Sequence, residues 1–282
     1  SDADTLLGGD DRDLIFATKN DSVDGGAGGD DWDILSVGGM SVGGSVNYVE
    51  TGVDSNGNGV DGYIEFFDSG GVLEGRLDFE EIEEFTGIIC FTKGARILTA
   101  SGTRPIETLR VGDLVHTRDN GLQPIRWIGD RTVSGTGSLA PISFEINALE
   151  TATRPLLVSP QHRMLFTGYE AELLFGQREV LVPAKHLING TTIKQAVCDE
   201  VNYIHVMFDA HEVIYADGQA TESFHAADCG LDVIADASRE ELFNVFPELR
   251  WNTGAHGDTA RTCLKAHEAG MFAKFAETRA QM

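Results

Sequence analysis

The chain has 282 residues, 41% of them hydrophobic, and a net charge of −24. That is ample for two or three packed domains and excludes a globally disordered chain. No basic stripe exists to neutralise phosphates, which excludes nucleic acid as a partner. No apolar run reaches the roughly 18 residues of a membrane span.

The acid is concentrated at the start. Residues 1–89 hold 21 Asp and Glu against 3 Lys and Arg, with 18 of the 33 glycines. Divalent cations suit such a segment. Its opening, "SDADTLLGGDD", carries no signal-peptide pattern and reads as a cut inside a longer protein. Within residues 1–36, "GGAGGDDWD" (Gly25 to Asp33) fits the nonapeptide G-G-x-G-x-D-x-U-x, with Asp30 in the acidic place and Trp32 in the apolar one. Leu14, Val23 and Trp32 recur every nine residues, the period of a parallel β-roll whose glycines permit the bends. "FATKNDSVD" keeps Asp21 and Val23 but not the glycines. The segment resembles the RTX calcium-binding repeats. The resemblance implies structural calcium held between successive turns, with Asp21 and Asp30 as ligands.

Residues 37–87 read as a β-rich connecting region. "DSNGNGVDGYIE" (Asp54 to Glu65) satisfies the EF-hand string D-x-[DN]-x-[DN]-G-x₅-E. Its eighth position is Asp61, and its flanks alternate like strands, so a β-hairpin with an Asn/Gly turn is the better reading.

From Cys90 the text changes to short β-rich runs with turn punctuation, including "ARILTASGTRPIETL", "RPLLVSPQHRMLF", "YIHVMF" and "HEVIYADG". Strands at this spacing predict an all-β domain over residues 88–228. "ASREELFNVFPEL" and "ARTCLKAHEAGMFAKFAE" have helical spacing and predict a helical extension over 229–282. The four cysteines, Cys90, Cys198, Cys229 and Cys263, form no CxxC pair and are too few for a disulfide framework. Cys198, Cys229 and Cys263 read as core thiols. Cys90 stands out by lying on the seam between the two kinds of sequence.

Cys90 at the domain's first position, the turn of Gly112, Asp113 and Val115, "SPQH" with Ser159 and His162, and "FDAHEVIYADGQATESF" with Asp209, His211 and Ser223 occur in an order that resembles the bacterial Hint domains. These are the self-processing fold shared by hedgehog C-terminal domains and inteins. The resemblance implies a flat, horseshoe-like all-β disk. It also implies an N-to-S acyl shift in which the Cys90 sulfur attacks the carbonyl of Ile89. Carried over residue by residue, His162 polarises the scissile amide or protonates its nitrogen. Ser159 takes the place of the family's threonine. His211 is the late strand histidine, with His205 a further candidate on the same stretch, and Asp209 assists thiol–amine exchange. Ser223 stands where hedgehog proteins have a second cysteine, and Asp130 falls near their sterol-activating acid.

No His-Asn pair and no Asp-Pro bond exist in the chain, which argues against full splicing and against Asp-Pro cleavage. The expected activity is therefore single-turnover self-cleavage at Ile89–Cys90. The chain's own N-terminal segment is the substrate, and water or an external amine or thiol resolves the thioester. The expected setting is a secreted bacterial protein. The rival reading is a calcium-binding, adhesin-type secreted protein whose Hint domain is inactive or slow.

Overall fold

The structure is a computed structural model that describes residues 3–29, 33–37, 45–57, 59–68, 70–85, 89–146, 148–149, 152–226, 236–264 and 268–270. Among the described residues it is mostly β, with few helices and no closed barrel. The chain divides into two compact units: Ser1–Gly87 with two short later pieces, and Ile88–Gly135, Leu139–Ala227 and Ile234–Met282.

The first unit is built from β1 (Thr5–Leu7), β2 (Leu14–Ala17), β3 (Ser22–Asp24), β4 (Ile34–Val37), β5 (Ser45–Val53), β6 (Val60–Phe67), β7 (Leu73–Ile82) and β8 (Glu84–Phe85). The order β1-β3-β7-β6-β5 makes one sheet and β2-β4-β8 another. Parallel pairing sets Thr5 against Ser22 and Ser22 against Asp78 in the first sheet. In the second it sets Leu14 against Ile34 and Ile34 against Glu84. Strands nine residues apart therefore belong to different sheets, and stacked neighbours are 17 to 20 residues apart at the start of the chain. Leu14 is exposed, while Ile15, Val23 and Leu35 enter the core with Phe66, Leu77 and Phe79. In the run "LIFA" either alternate set could face inward; pairing with Leu35, which has no exposed surface, selects Ile15. β5 and β6 form the antiparallel hairpin that interrupts this winding, with Val53 opposite Val60.

The second unit contains β9 (Phe91–Thr92), β10 (Arg96–Thr99), β11 (Gly102–Pro105), β12 (Leu114–Thr117), β13 (Gly121–Pro124), β14 (Trp127–Gly135), β15 (Ile142–Phe144), β16 (Leu156–Val158) and β17 (Arg163–Thr167). Then follow α1 (Tyr169–Phe175), β18 (Glu179–Pro183), β19 (Ile193–Gln195), β20 (Cys198–Met207), β21 (Val213–Ala216), β22 (Gln219–Glu222), α2 (Asp236–Val245) and β23 (Thr262–Cys263). One sheet runs β14-β20-β9-β16-β15-β19, and a nine-stranded sheet contains β10, β12, β17, β18, β21 and β22. One continuous core joins them, including Phe91, Ile97, Val115, Phe144, Val158, Val182, Val206 and Phe208.

The C-terminal region departs from the helical expectation in part. α2 forms, but Thr262 and Cys263 are a strand parallel to β18. The two residues pair with Val180 and Leu181, both fully buried, and this edge pairing overrides their local helical spacing. The Trp127 indole N–H donates to the Ser238 carbonyl at 3.1 Å, tying α2 to β14. Among the described residues no helix is long and apolar enough to cross a membrane.

Candidate active site

Register builds the site. β9 is only two residues long and lies between β16 and β20. It pairs antiparallel with both, Phe91 facing Val158 on one side and Ile204 on the other. Stepping one residue along each ladder brings Cys90 between Ser159 and His205. All three residues are buried.

Each neighbour grips a different part of the Ile89–Cys90 peptide unit. The Cys90 N–H donates to Ser159 Oγ at 2.9 Å, and the Ser159 N–H donates to the Cys90 carbonyl at 3.0 Å. His205 Nδ1 lies 3.1 Å from the Ile89 carbonyl oxygen. Cys90 Sγ lies 3.2 Å from His205 Nδ1 and 3.3 Å from Nε2. A sulfur almost equidistant from both nitrogens sits over the face of the ring, because in-plane approach would strike the carbon between them. The lone pairs of the imidazole are thus directed away from the sulfur. The Nδ1–H tautomer donates in the ring plane to the Ile89 carbonyl. Trp127 and Phe224 pack around the imidazole, at ring-centroid distances of 5.9 and 5.0 Å. Burial pushes the His205 pKa down to about 4, against the opposing pull of its Ile89 contact and of Asp130, so the ring is neutral at pH 7.

His162 is the second histidine of the site. Its N–H donates to the Ser159 carbonyl at 3.1 Å, and its ring packs edge-on against Phe91 at 4.5 Å. The Thr221 hydroxyl donates to the Arg163 carbonyl at 2.9 Å, which leaves its oxygen to accept from His162 Nε2–H. Nδ1 then carries a bare lone pair, buried and without a hydrogen bond. Burial also holds the His162 pKa at about 4, with Arg163 and His211 lowering it further and Glu222 opposing. The local arrangement therefore holds one neutral histidine that donates to the carbonyl and one that offers a base.

Residues 89–228 match the Hint domain family. They are a Hint domain. This fold supports a self-splicing or self-cleaving domain. Similar solved structures include a bacterial intein-like domain from Clostridium thermocellum, at 15% identity over 49% of this chain and 100% of that one, TM-score 0.34. The AceL NrdHF class 3 split intein, a glutathione-linked splice-inactive variant, is 15% identical over 48% of this chain and 97% of its own, TM-score 0.33. The gp41-1 intein is 13% identical over 47% and 96%, TM-score 0.30. No curated protein matches the chain.

Within the Hint domain, Cys90, Ile89, Ser159 and His162 are brought together. His211 is not the histidine beside the thiol. Its Nδ1 accepts the Ala260 N–H at 3.0 Å, its Nε2 lies 3.3 Å from Glu222 Oε2, and its ring stacks on His225. Asp209 is exposed and ion-paired with Arg126 at 3.0 Å. Ser223 Oγ accepts the Glu212 N–H at 3.0 Å. His205 takes the place expected of His211. Asp130 accepts from Asn202 Nδ2 at 3.0 Å, on the wall of an open cleft of about 780 Å³ that Thr92 and Lys93 also line. Cys198 and Cys263 are half-buried and in no disulfide among the described residues, and Cys229 lies outside them.

In the acidic unit, both oxygens of Asp21 are engaged. Oδ1 accepts the Asp4 N–H at 3.0 Å, and Oδ2 accepts the Thr18 N–H and hydroxyl at 2.7 and 3.1 Å. Burial raises the Asp21 pKa, but these bonds outweigh it and hold the carboxyl below its ordinary value. Asp30 and Trp32 lie outside the described residues.

Proposed function

We propose that the Hint domain cleaves its own chain at Ile89–Cys90 by an N-to-S acyl shift. The supporting observation is that His205 touches both the Cys90 sulfur and the carbonyl that the sulfur must attack. An amide is a poor electrophile, and holding the thiol against it makes the attack intramolecular. His205 Nδ1–H polarises the carbonyl and stabilises the oxyanion that forms there. His162 Nδ1 takes the thiol proton and returns it to the Cys90 nitrogen. The Ile89–Sγ bond forms, the Ile89–Cys90 C–N bond breaks, and Cys90 is left with a free amine.

Water, an external amine or an external thiol then attacks the thioester. The acyl–sulfur bond breaks, the nucleophile's proton returns to the Cys90 thiolate, and residues 1–89 are released. Ser159 positions the scissile N–H. The released part is read as belonging to a secreted bacterial protein. Incubation with dithiothreitol should yield fragments 1–89 and 90–282 on a gel, and Cys90→Ala should yield neither. Undiminished cleavage in that variant would end the proposal.

A further inference from the structure

Thr221 is fully buried on β22, opposite Met164 of β17. A hydroxyl in a packed interior costs stability unless it is hydrogen-bonded. This one is engaged in two directions. It donates to the Arg163 carbonyl at 2.9 Å, and its oxygen meets His162 Nε2. The Met164 sulfur, 3.6 Å away, is a weaker acceptor than that carbonyl and does not compete for the proton.

Strand register explains why the proton goes to Arg163. Alternate residues of an antiparallel strand bond to opposite neighbours. The His162 carbonyl takes the Ala184 N–H at 2.9 Å, on the β18 side. Arg163 therefore turns its peptide groups toward β22, where two consecutive side chains meet them. Its N–H donates to Glu222 Oε1 at 2.7 Å, and its carbonyl accepts from Thr221. A carbonyl can only accept, so the hydroxyl presents lone pairs to His162. A ring nitrogen facing a lone pair carries the proton. The β-branched side chain is stiff at χ1, so the hydroxyl keeps this aim. Edge-on packing against Phe91 at 4.5 Å holds the ring from another side.

We propose that Thr221 is a positioning residue that locks His162 in the Nε2–H tautomer and so keeps Nδ1 free to act as the base. The use of that base rests on the acyl-shift reading; the lock itself does not. Without the hydroxyl, the Nε2–H tautomer buries a donor with no acceptor, which costs about 1–3 kcal/mol. Moving the proton to Nδ1 relieves that cost, and the base disappears with it. The ring then still fills the same space, so the fold survives a change that stops the chemistry. In serine proteases a base held in the wrong tautomer loses about 10⁴-fold in rate.

The test uses the full chain with isotope-labelled histidine. Ring-nitrogen NMR on Cys90→Ala, which lacks the thiol, reads which nitrogen of His162 carries the proton, and His162→Gln identifies the signal. Dithiothreitol-induced cleavage is timed in parallel in chains that keep Cys90. We expect Nε2–H in the Cys90→Ala parent and Nδ1–H once Thr221→Val is added. Thr221→Val should slow cleavage about 10²-fold or more, with a urea transition that still reports a folded chain. Thr221→Ser, which restores the hydroxyl, should recover the Nε2–H signal and most of the rate. An Nδ1–H signal in the parent would overturn the lock. So would an unchanged tautomer or an unchanged cleavage rate in a folded Thr221→Val chain. If Thr221→Val fails to fold, the parent signal and Thr221→Ser decide, and a rate lost in Thr221→Ser with Nε2–H intact counts against the role. If the wild-type chain gives no fragments, the acyl-shift reading fails, and the ring signals decide the lock on their own.

Discussion

His205 Nδ1 sits 3.1 Å from the carbonyl oxygen of Ile89, and the same ring lies under the Cys90 sulfur. The contact joins the electrophile and the nucleophile of one peptide bond through a single neutral side chain. Removing a donor of this kind costs about 10²–10³-fold in rate. His205→Ala should therefore slow thiol-induced cleavage by about that factor. His211→Ala should leave the cleavage step itself within about tenfold of wild type, provided the chain still folds, because its ring nitrogens face Ala260 and Glu222. Quantified fragment release over time distinguishes them, and equal losses in the two variants would count against the assignment.

The late histidine shows where sequence legibility ends. His205 and His211 lie on one stretch, and either fits a late strand histidine. Strand alternation does not choose, since Tyr203, Ile204, His205, Val206 and Met207 are all buried. The choice is made by Ile204 pairing with Phe91, a contact between residues more than a hundred positions apart. Ser159 and His162 were legible because their spacing is local and a strand precedes them. Cys90 was legible because composition changes around it. In the acidic unit Leu14 and Val23 of the nine-residue recurrence fall on β2 and β3, while Trp32 lies outside the described residues. The recurrence did not reveal that parallel partners lie 17 to 20 residues apart, or that Ile15 rather than Leu14 faces inward.

Two buried histidines make stability depend on pH. His162 and His205 have folded-state pKa values pushed down to about 4, whereas the unfolded chain titrates near 6.5. The unfolded state then binds more protons between these values. Neither group costs stability above about pH 6.5. As pH falls toward 4, each costs up to about 3 kcal/mol. Urea midpoints should drop between pH 7 and pH 4.5, and the drop should shrink in His205→Asn. An unchanged pH dependence in that variant would contradict the buried neutral state.

Glu222 should matter more for stability than Asp209. Burial raises the Glu222 pKa, but Arg163 and His211 outweigh it and hold the carboxyl below its ordinary value. Its oxygens accept the Arg163 N–H at 2.7 Å and face the Arg163 guanidinium at 3.4 Å, all within the interior. Removing one partner of such a buried set costs about 3–5 kcal/mol. Glu222→Ala should lose about that much in urea unfolding. Asp209→Ala, which loses only an exposed ion pair, should lose less than about 1 kcal/mol.

Ser159→Ala tests the hold on the scissile nitrogen. It leaves the buried Cys90 N–H without its oxygen acceptor, a loss of about 1–3 kcal/mol. Cleavage should slow at saturating thiol, while Cys90 alkylation in the unfolded chain stays normal. A cleavage rate equal to wild type would show that Ser159 only fills space.

The most direct measurement is intact-mass spectrometry of the full chain incubated with hydroxylamine, which intercepts a thioester at its acyl carbon. A thioester on Cys90 predicts an N-terminal fragment ending in an Ile89 hydroxamate and a partner beginning with an unmodified Cys90, with neither product from Cys90→Ala. A fragment ending anywhere else, or the same products from Cys90→Ala, would contradict attack by the Cys90 sulfur on the Ile89 carbonyl.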